Sequence, residues 1–254
     1  MNYQKIQTYM KNFKIHLYSI CYNEQVMLPH FIDHYSSFCD KLFIYDNFST
    51  DLSSDICKNN AKVEFLNFET GGEIRDDIYL TIKNNVWKRS RGEADFVIVC
   101  DVDEFLYHDN LIEEINNLIK NNITLVKPQG YNMVSELLPK KENNIFIDFK
   151  MGVRSESFDK VIIFNPNKID EINYQAGSHK CFPIGSIKYS SIIFKLLHYK
   201  YLNLDYLLAR YDMFATRLSK FNKINKLGIH YSFSKRKIKN EFNNLLSICK
   251  NVID

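Results

Sequence analysis

Glycine and proline are scarce in this sequence, with 8 and 5 among 254 residues. So little turn punctuation excludes a repeat array, a linker-rich protein or a many-turned sandwich, and no low-complexity segment is present. Cys-x-x-Cys pairs are absent: Cys21, Cys39, Cys57, Cys100, Cys181 and Cys249 are scattered, which argues for reduced thiols over a disulfide framework. No apolar run approaches the 18 residues of a membrane span, since 97–100 and 192–194 are short. The first fourteen residues, with Lys5, Lys11 and Lys14, lack the apolar stretch of a signal peptide. A cytoplasmic location is the expectation. An excess of charge is missing too: 33 basic and 30 acidic side chains leave +3, too even for a dedicated nucleic-acid binder. What is present is 45% hydrophobic and 25% charged, the composition of an ordinary globular protein.

Residues 15–20 read as a buried strand ending at the polar triplet Tyr22-Asn23-Glu24. Val26, Leu28, Phe31, Ile32 and Tyr35 recur near helical spacing, which predicts a helix over 26–38. Strands follow at 41–45 and 63–68, and the run Asp46-Asn47-Phe48-Ser49-Thr50-Asp51 offers N-caps for a helix at 51–60. A helix over 74–91 leads into a fourth strand at 96–100. Four strands alternating with helices signal parallel βαβ units. Beyond them come a helix at 111–120, short strands near 123–127, 145–153 and 160–165, and helices at 204–221 and 235–249. The last places Ile238, Phe242, Leu245, Leu246 and Cys249 on one face. The expectation is a single α/β domain over 1–254, a mostly parallel mixed sheet flanked by helices, ending in a helical tail from 204.

Ligands bind at the carboxyl ends of strands in open parallel sheets. Three such ends are polar here: Asn23-Glu24, Asp46-Asn47-Phe48-Ser49 and Asp101-Val102-Asp103-Glu104. The last is the sharpest, because a buried strand runs directly into two carboxylates. In extended geometry residues two apart point the same way, so Asp101 and Asp103 can face one cation. Oxygen ligands without nearby thiolates suit Mg²⁺ or Mn²⁺ better than zinc and leave positions for phosphate oxygens.

The three clusters together, Ser19 to Glu24, Tyr45 to Asp51 and Asp101 to Phe105, resemble the family-2-like bacterial glycosyltransferases of the GT-A fold. The resemblance is strongest over 14–106, with 107–203 as the acceptor-binding half. Leu197-His198-Tyr199-Lys200-Tyr201 and Arg217-Leu218-Ser219 are similar to a bacterial subgroup of small transferases. The resemblance implies sugar transfer from a UDP-sugar donor with a divalent metal and inversion. It puts Asn23 and Glu24 beside the nucleotide, Asp46 and Asn47 on the base with Ser49 in the same turn, and Arg75 and Asp76 on base or phosphate. Asp101 would approach the ribose and metal, Asp103 would bind the metal, and a downstream histidine, His198, would be its third ligand. The acceptor implied is a growing surface glycan or glycolipid of lipopolysaccharide, lipooligosaccharide or capsule type.

Inverting transfer needs a group to take the acceptor's proton, and the family's Glu-Asp motif has no clear copy here. Glu136, Glu156, Asp159 and His179 are the candidates, Glu136 and His179 foremost; small residues beside His179 leave room for a ligand. Lys180, Lys200, Arg210 and Arg217 are the cations available for a diphosphate or anionic acceptor, with a solvated face as the default reading of the two arginines. Lys235-Arg236-Lys237 and Lys239 could touch the inner face of an anionic membrane, although packing of the apolar stripe beside them on the domain is the expected arrangement. Two alternatives stand: a phosphatase of the haloacid-dehalogenase type, against which the three strands before the Asp-x-Asp weigh, and a non-catalytic sugar-nucleotide binder.

Overall fold

The computed structural model describes residues 11–253; Lys5, part of the expectation about a leader, lies outside the described residues. The first half alternates as expected: β1 (Ile15–Cys21), α1 (Leu28–Ser36), β2 (Lys41–Asp46), α2 (Ser53–Lys58), β3 (Val63–Asn67), α3 (Asp76–Asn85) and β4 (Phe96–Val99). β1 pairs in parallel with β2 and β4, and β2 with β3. The central position of β1 explains its nearly uniform burial, since both faces are covered.

The second half crosses between two sheets. It comprises β5 (Glu104–Tyr107), α4 (Leu111–Lys120), β6 (Leu125–Val126), β7 (Gln129–Ser135), α5 (Ile145–Asp148), β8 (Met151–Arg154) and β9 (Ile163–Phe164). After these come β10 (Ile169–Glu171), β11 (Ile184–Gly185), β12 (Lys195–Leu202), α6 (Leu204–Arg217), α7 (Lys220–Ile224), α8 (Lys235–Ile248) and β13 (Lys250–Asn251). The first sheet has the order β3-β2-β1-β4-β9-β6, with β9 antiparallel to both neighbours. A second sheet has the order β13-β8-β7-β12-β5, and β10 and β11 form a separate pair. The architecture is α/β with a mostly parallel sheet flanked by helices.

Several sequence expectations shift for local reasons. The helix expected to run to 91 ends at Asn85 and tightens into a 3₁₀ turn, Val86–Ser90. The strand expected over 145–153 is split, because Asn144 accepts from the Phe146 and Ile147 amides and caps one helical turn before β8. The helix expected over 204–221 breaks at Leu218, and the Ser219 hydroxyl caps α7. β7 and β12 were not expected; β12 sits mid-sheet and is nearly all buried, so it shows no alternation.

One set of buried side chains spans both sheets, from Leu17 on β1 through Phe31, Tyr35 and Phe38 on α1 to Phe105 on β5 and Tyr199 on β12. The opposite face of the first sheet is filled by Tyr18, Phe43, Trp87 and Phe164. Ile238 and Phe242 of α8 are buried against Val134, Leu207 and Tyr211, so the apolar stripe packs on the protein. No described helix is long and apolar enough to cross a membrane. All six cysteines are free thiols.

Tyr35 ties α1 to β5 of the second sheet through one hydroxyl, which donates to the Glu104 carbonyl at 2.9 Å and accepts from the Leu106 amide at 2.9 Å. Tyr35→Phe should leave both buried backbone groups unmet and destabilise the protein by about 1–3 kcal/mol in urea unfolding.

Candidate functional site

A cavity of about 430 Å³ opens at the carboxyl ends of β1 and β4. α3 presents Asp76, Tyr79 and Lys83 to it, a spacing of three and four residues that lies along one helical face. β12 presents His198 and Lys200, two apart on one side of a strand. The remaining wall comes from the turn after β4, from α6, from the segments around Phe158–Lys160 and His179, and from residues 226–231.

That turn carries Asp101 and Asp103, but not in the expected extended geometry. The Asp101 amide donates to Glu104 Oε2 at 3.1 Å and the Glu104 amide to the Asp101 carbonyl at 3.0 Å, closing a turn that still directs both aspartates into the cavity. The pair also has local cations that its immediate sequence does not show. Lys83 Nζ lies 2.6 Å from Asp101 Oδ1, and Lys160 Nζ lies 3.8 Å from Oδ2 and 2.5 Å from Glu104 Oε1. Burial pushes the Asp101 carboxyl up, but Lys83 and Lys160 outweigh it and hold it below the ordinary range. Burial likewise works against the Lys160 charge, yet Glu104 and Asp101 keep this ammonium firmly protonated.

Asp103 Oδ2 lies 3.4 Å from His198 Nε2. His198 Nδ1 is 3.2 Å from Asn132 Oδ1, an acceptor, so Nδ1 carries a hydrogen and Nε2 is the nitrogen that faces the carboxylate. Burial raises the Asp103 carboxyl, and His198, with Arg210 and Lys200 behind it, overcomes that and holds it well below its ordinary range. Among the described residues no group of three or more His, Cys, Asp or Glu could hold a metal ion, and Asp101 is occupied by lysines. Of the three expected ligands, Asp103 and His198 are therefore the two that could hold a hard divalent ion, which would need phosphate or water for its other positions. Phe158 lies against His198 with ring centroids 4.2 Å apart. Gly130 on β7 permits this, since a Cβ there would sit 2.3 Å from that of Phe158.

The tips of β1 and β2 are arranged differently from expectation. Glu24 lines the cavity, buried and gripped by Arg210, with Nη1 2.8 Å from Oε2 and Nη2 2.6 Å from Oε1. Burial pushes the Glu24 carboxyl up to about 7, with Arg210 working against the rise. Asn23, at φ 52°, braces the neighbouring loop by accepting from the Thr50 amide at 2.7 Å. Asp46, Asn47 and Ser49 fall outside the cavity lining. Asp46 is consumed by the Ser49 amide at 2.8 Å and hydroxyl at 2.5 Å. Arg75 turns to Asp77, at 2.7 Å, and also lies outside the lining. Asp76 does line it, and its carboxylate accepts from the Asn222 side chain.

The arginines expected on a solvated face of α6 are instead turned inward. Arg210 meets the tip of β1, and Arg217, 8% exposed, donates to Asn47 Oδ1 at 2.5 Å beyond β2. Of the candidate bases, only His179 lines the cavity; Glu136 and Glu156 are exposed elsewhere, and Asp159 is tied to Arg154 at 2.6 Å. The room beside His179 serves its own ring, because a Cβ on Gly177 would lie 2.8 Å from His179 Cδ2. His179 Nδ1 donates to the Ser157 carbonyl at 2.7 Å, leaving Nε2 as an acceptor. Burial first, then Lys160, lower its pKa and keep it neutral. Lys180 is exposed and outside the lining. Sequence reasoning missed Lys83, Tyr79 and Lys160. The first two were signalled by their spacing from Asp76, and Lys160 by a single charge directly preceding the apolar run at 161–164.

No family model matches the chain, and no curated protein does. Among solved structures, S. aureus TarS 1-349 is similar with a TM-score of 0.46 and 13% identity, over 91% of this chain and 71% of that one. The same fragment in complex with UDP gives 0.46 and 12%, over 88% and 73%. Glucosyl-3-phosphoglycerate synthase from Mycobacterium tuberculosis, in complex with Mn²⁺, UDP and glucosyl-3-phosphoglycerate, gives 0.34 and 16%, over 48% and 44%.

Lys160→Met should destabilise the protein by about 3–5 kcal/mol in equilibrium denaturation, because it strands the buried Glu104 carboxylate. Adding Glu104→Gln should recover part of that loss, giving a double variant more stable than the sum of the single changes.

Proposed function

We propose that this protein is a GT-A glycosyltransferase that moves a sugar from a UDP-sugar to a growing surface glycan or glycolipid of lipopolysaccharide, lipooligosaccharide or capsule type, working in the cytoplasm with Mn²⁺ or Mg²⁺. The observation that carries the reading is the Asp103–His198 pair opening into the same cavity as the tip of β1, with Lys83, Lys160, Lys200 and Arg210 around it. Departure of a nucleoside diphosphate develops negative charge, and preorganised cations in a partly dry site stabilise it.

Asp103 and His198 would hold the divalent ion, which when bound neutralises diphosphate oxygens. Lys83 and Lys160 fix the Asp101 carboxylate and add positive charge beside the leaving group. His179 is the proposed base: its ring is oriented by the Ser157 carbonyl, and Nε2 takes the proton of the acceptor hydroxyl as that oxygen attacks the sugar. Direct attack with a single displacement inverts the anomeric centre. Glu136, exposed and outside the cavity lining, drops out of this scheme.

In thermal unfolding, wild type should be stabilised by UDP with Mn²⁺, since a ligand that binds only the native state raises stability by mass action. Asp103→Ala should remain folded, lose that shift and release UDP from a UDP-sugar at least about a hundredfold more slowly. An undiminished shift would remove Asp103 from the metal site. Rapid hydrolysis of p-nitrophenyl phosphate by wild type would favour the phosphatase reading instead.

A further inference from the structure

Arg217 holds one donor that neither the fold nor the proposed chemistry uses. Its Nε donates to the Gly72 carbonyl at 2.9 Å and its Nη2 to Asn47 Oδ1 at 2.5 Å, while the guanidinium lies 3.2 Å over the centre of the Tyr22 ring. Nη1 is buried with no hydrogen-bond partner among the described residues. A guanidinium can only donate, and a buried charged donor left unmet is costly. The residue lines the cavity and stands where the chain segments following β1, β2 and β3 meet, at Tyr22, Asn47 and Gly72.

The groups expected to read a base there are already spent. Asn47 Oδ1 accepts from Thr70 at 3.0 Å, Tyr79 at 3.3 Å and Arg217, and Nδ2 donates to the Phe68 carbonyl at 3.1 Å. Asp46 serves Ser49, and Arg75 serves Asp77. Asn47 thus positions the guanidinium and does not itself face a ligand.

We propose that Arg217 is the residue that reads the nucleobase, its Nη1–H donating to O4 of uracil. Asp76, on the same cavity, is the acceptor available for the N3–H. The placement suits the length of a nucleotide. Arg217 meets β2 and the acidic turn follows β4, two neighbouring-strand steps away across β1, roughly 10 Å. That is the reach from a diphosphate across a ribose to the far edge of a pyrimidine. Adenine presents its 6-amino group, a donor, where uracil presents O4, so donor would face donor and adenine is disfavoured.

The inference rests on the nucleotide-sugar reading, and calorimetry with Mn²⁺ separates the two. Wild type should bind UDP more tightly than ADP or pyrophosphate. Arg217→Lys and Arg217→Met, checked for folding by melting, should lose roughly ten- to hundredfold in UDP affinity and none in pyrophosphate affinity. Because Arg217 also ties α6 to β2, a ligand-side arm stands if these variants unfold. The diphosphate of a 2-pyrimidinone nucleoside, which lacks both O4 and the N3–H and so loses the partners of Arg217 and Asp76, should bind wild type roughly ten- to hundredfold more weakly than UDP. An unchanged UDP preference in the variants, an equal loss for pyrophosphate, or analogue binding as tight as UDP overturns the assignment of Arg217. Wild type binding no nucleoside diphosphate at all overturns the nucleotide-sugar reading itself.

Discussion

A chain of charges runs between the two sheets: Glu104, Lys160, Asp101 and Lys83 alternate in sign over contacts of 2.5, 3.8 and 2.6 Å, with Glu104 and Lys160 buried and Asp101 partly exposed. Each comes from a different element. Glu104 opens β5 in the second sheet, Lys160 precedes β9 in the first, Asp101 follows β4, and Lys83 lies on α3. Removing Lys160 would leave Glu104 charged and uncompensated out of water. The geometry of the acidic turn is therefore set by the same contacts that join the halves, and site and scaffold cannot vary independently.

The same arrangement tells what a ligand must do. Glu24 has Arg210 at 2.6 Å and Asp101 has Lys83 at 2.6 Å, whereas the His198 imidazole lies 3.4 Å from Asp103. The first two carboxylates are held closely and the third less so, and on the proposed reading a divalent ion carried by a diphosphate would sit beside that third one.

The parallel half was legible in the sequence because β1, β2 and β4 are apolar runs that stop at polar clusters, and helical spacing between them is clear. Asp101, Asp103 and His198 stood out in the sequence for the same reason, and the structure brings all three to one cavity. β7 was not, since Gln129–Ser135 alternates weakly, and β12 was not, since a strand covered on both faces loses its period. Arg210 and Arg217 show a deeper limit. Two arginines seven residues apart on a helix read as solvated until the tips of β1 and β2, which lie far away in sequence, are seen beneath them.

Those two arginines also set when the site can exist. Arg210 reaches Glu24 across 186 residues and Arg217 reaches Asn47 across 170. During synthesis the early strands can pair soon after they emerge, but the walls of the pocket must wait for α6. Closing such long loops costs chain entropy that local pairing does not, so the pocket walls depend on segments late in the sequence: α6 and the residues 226–231 that follow it.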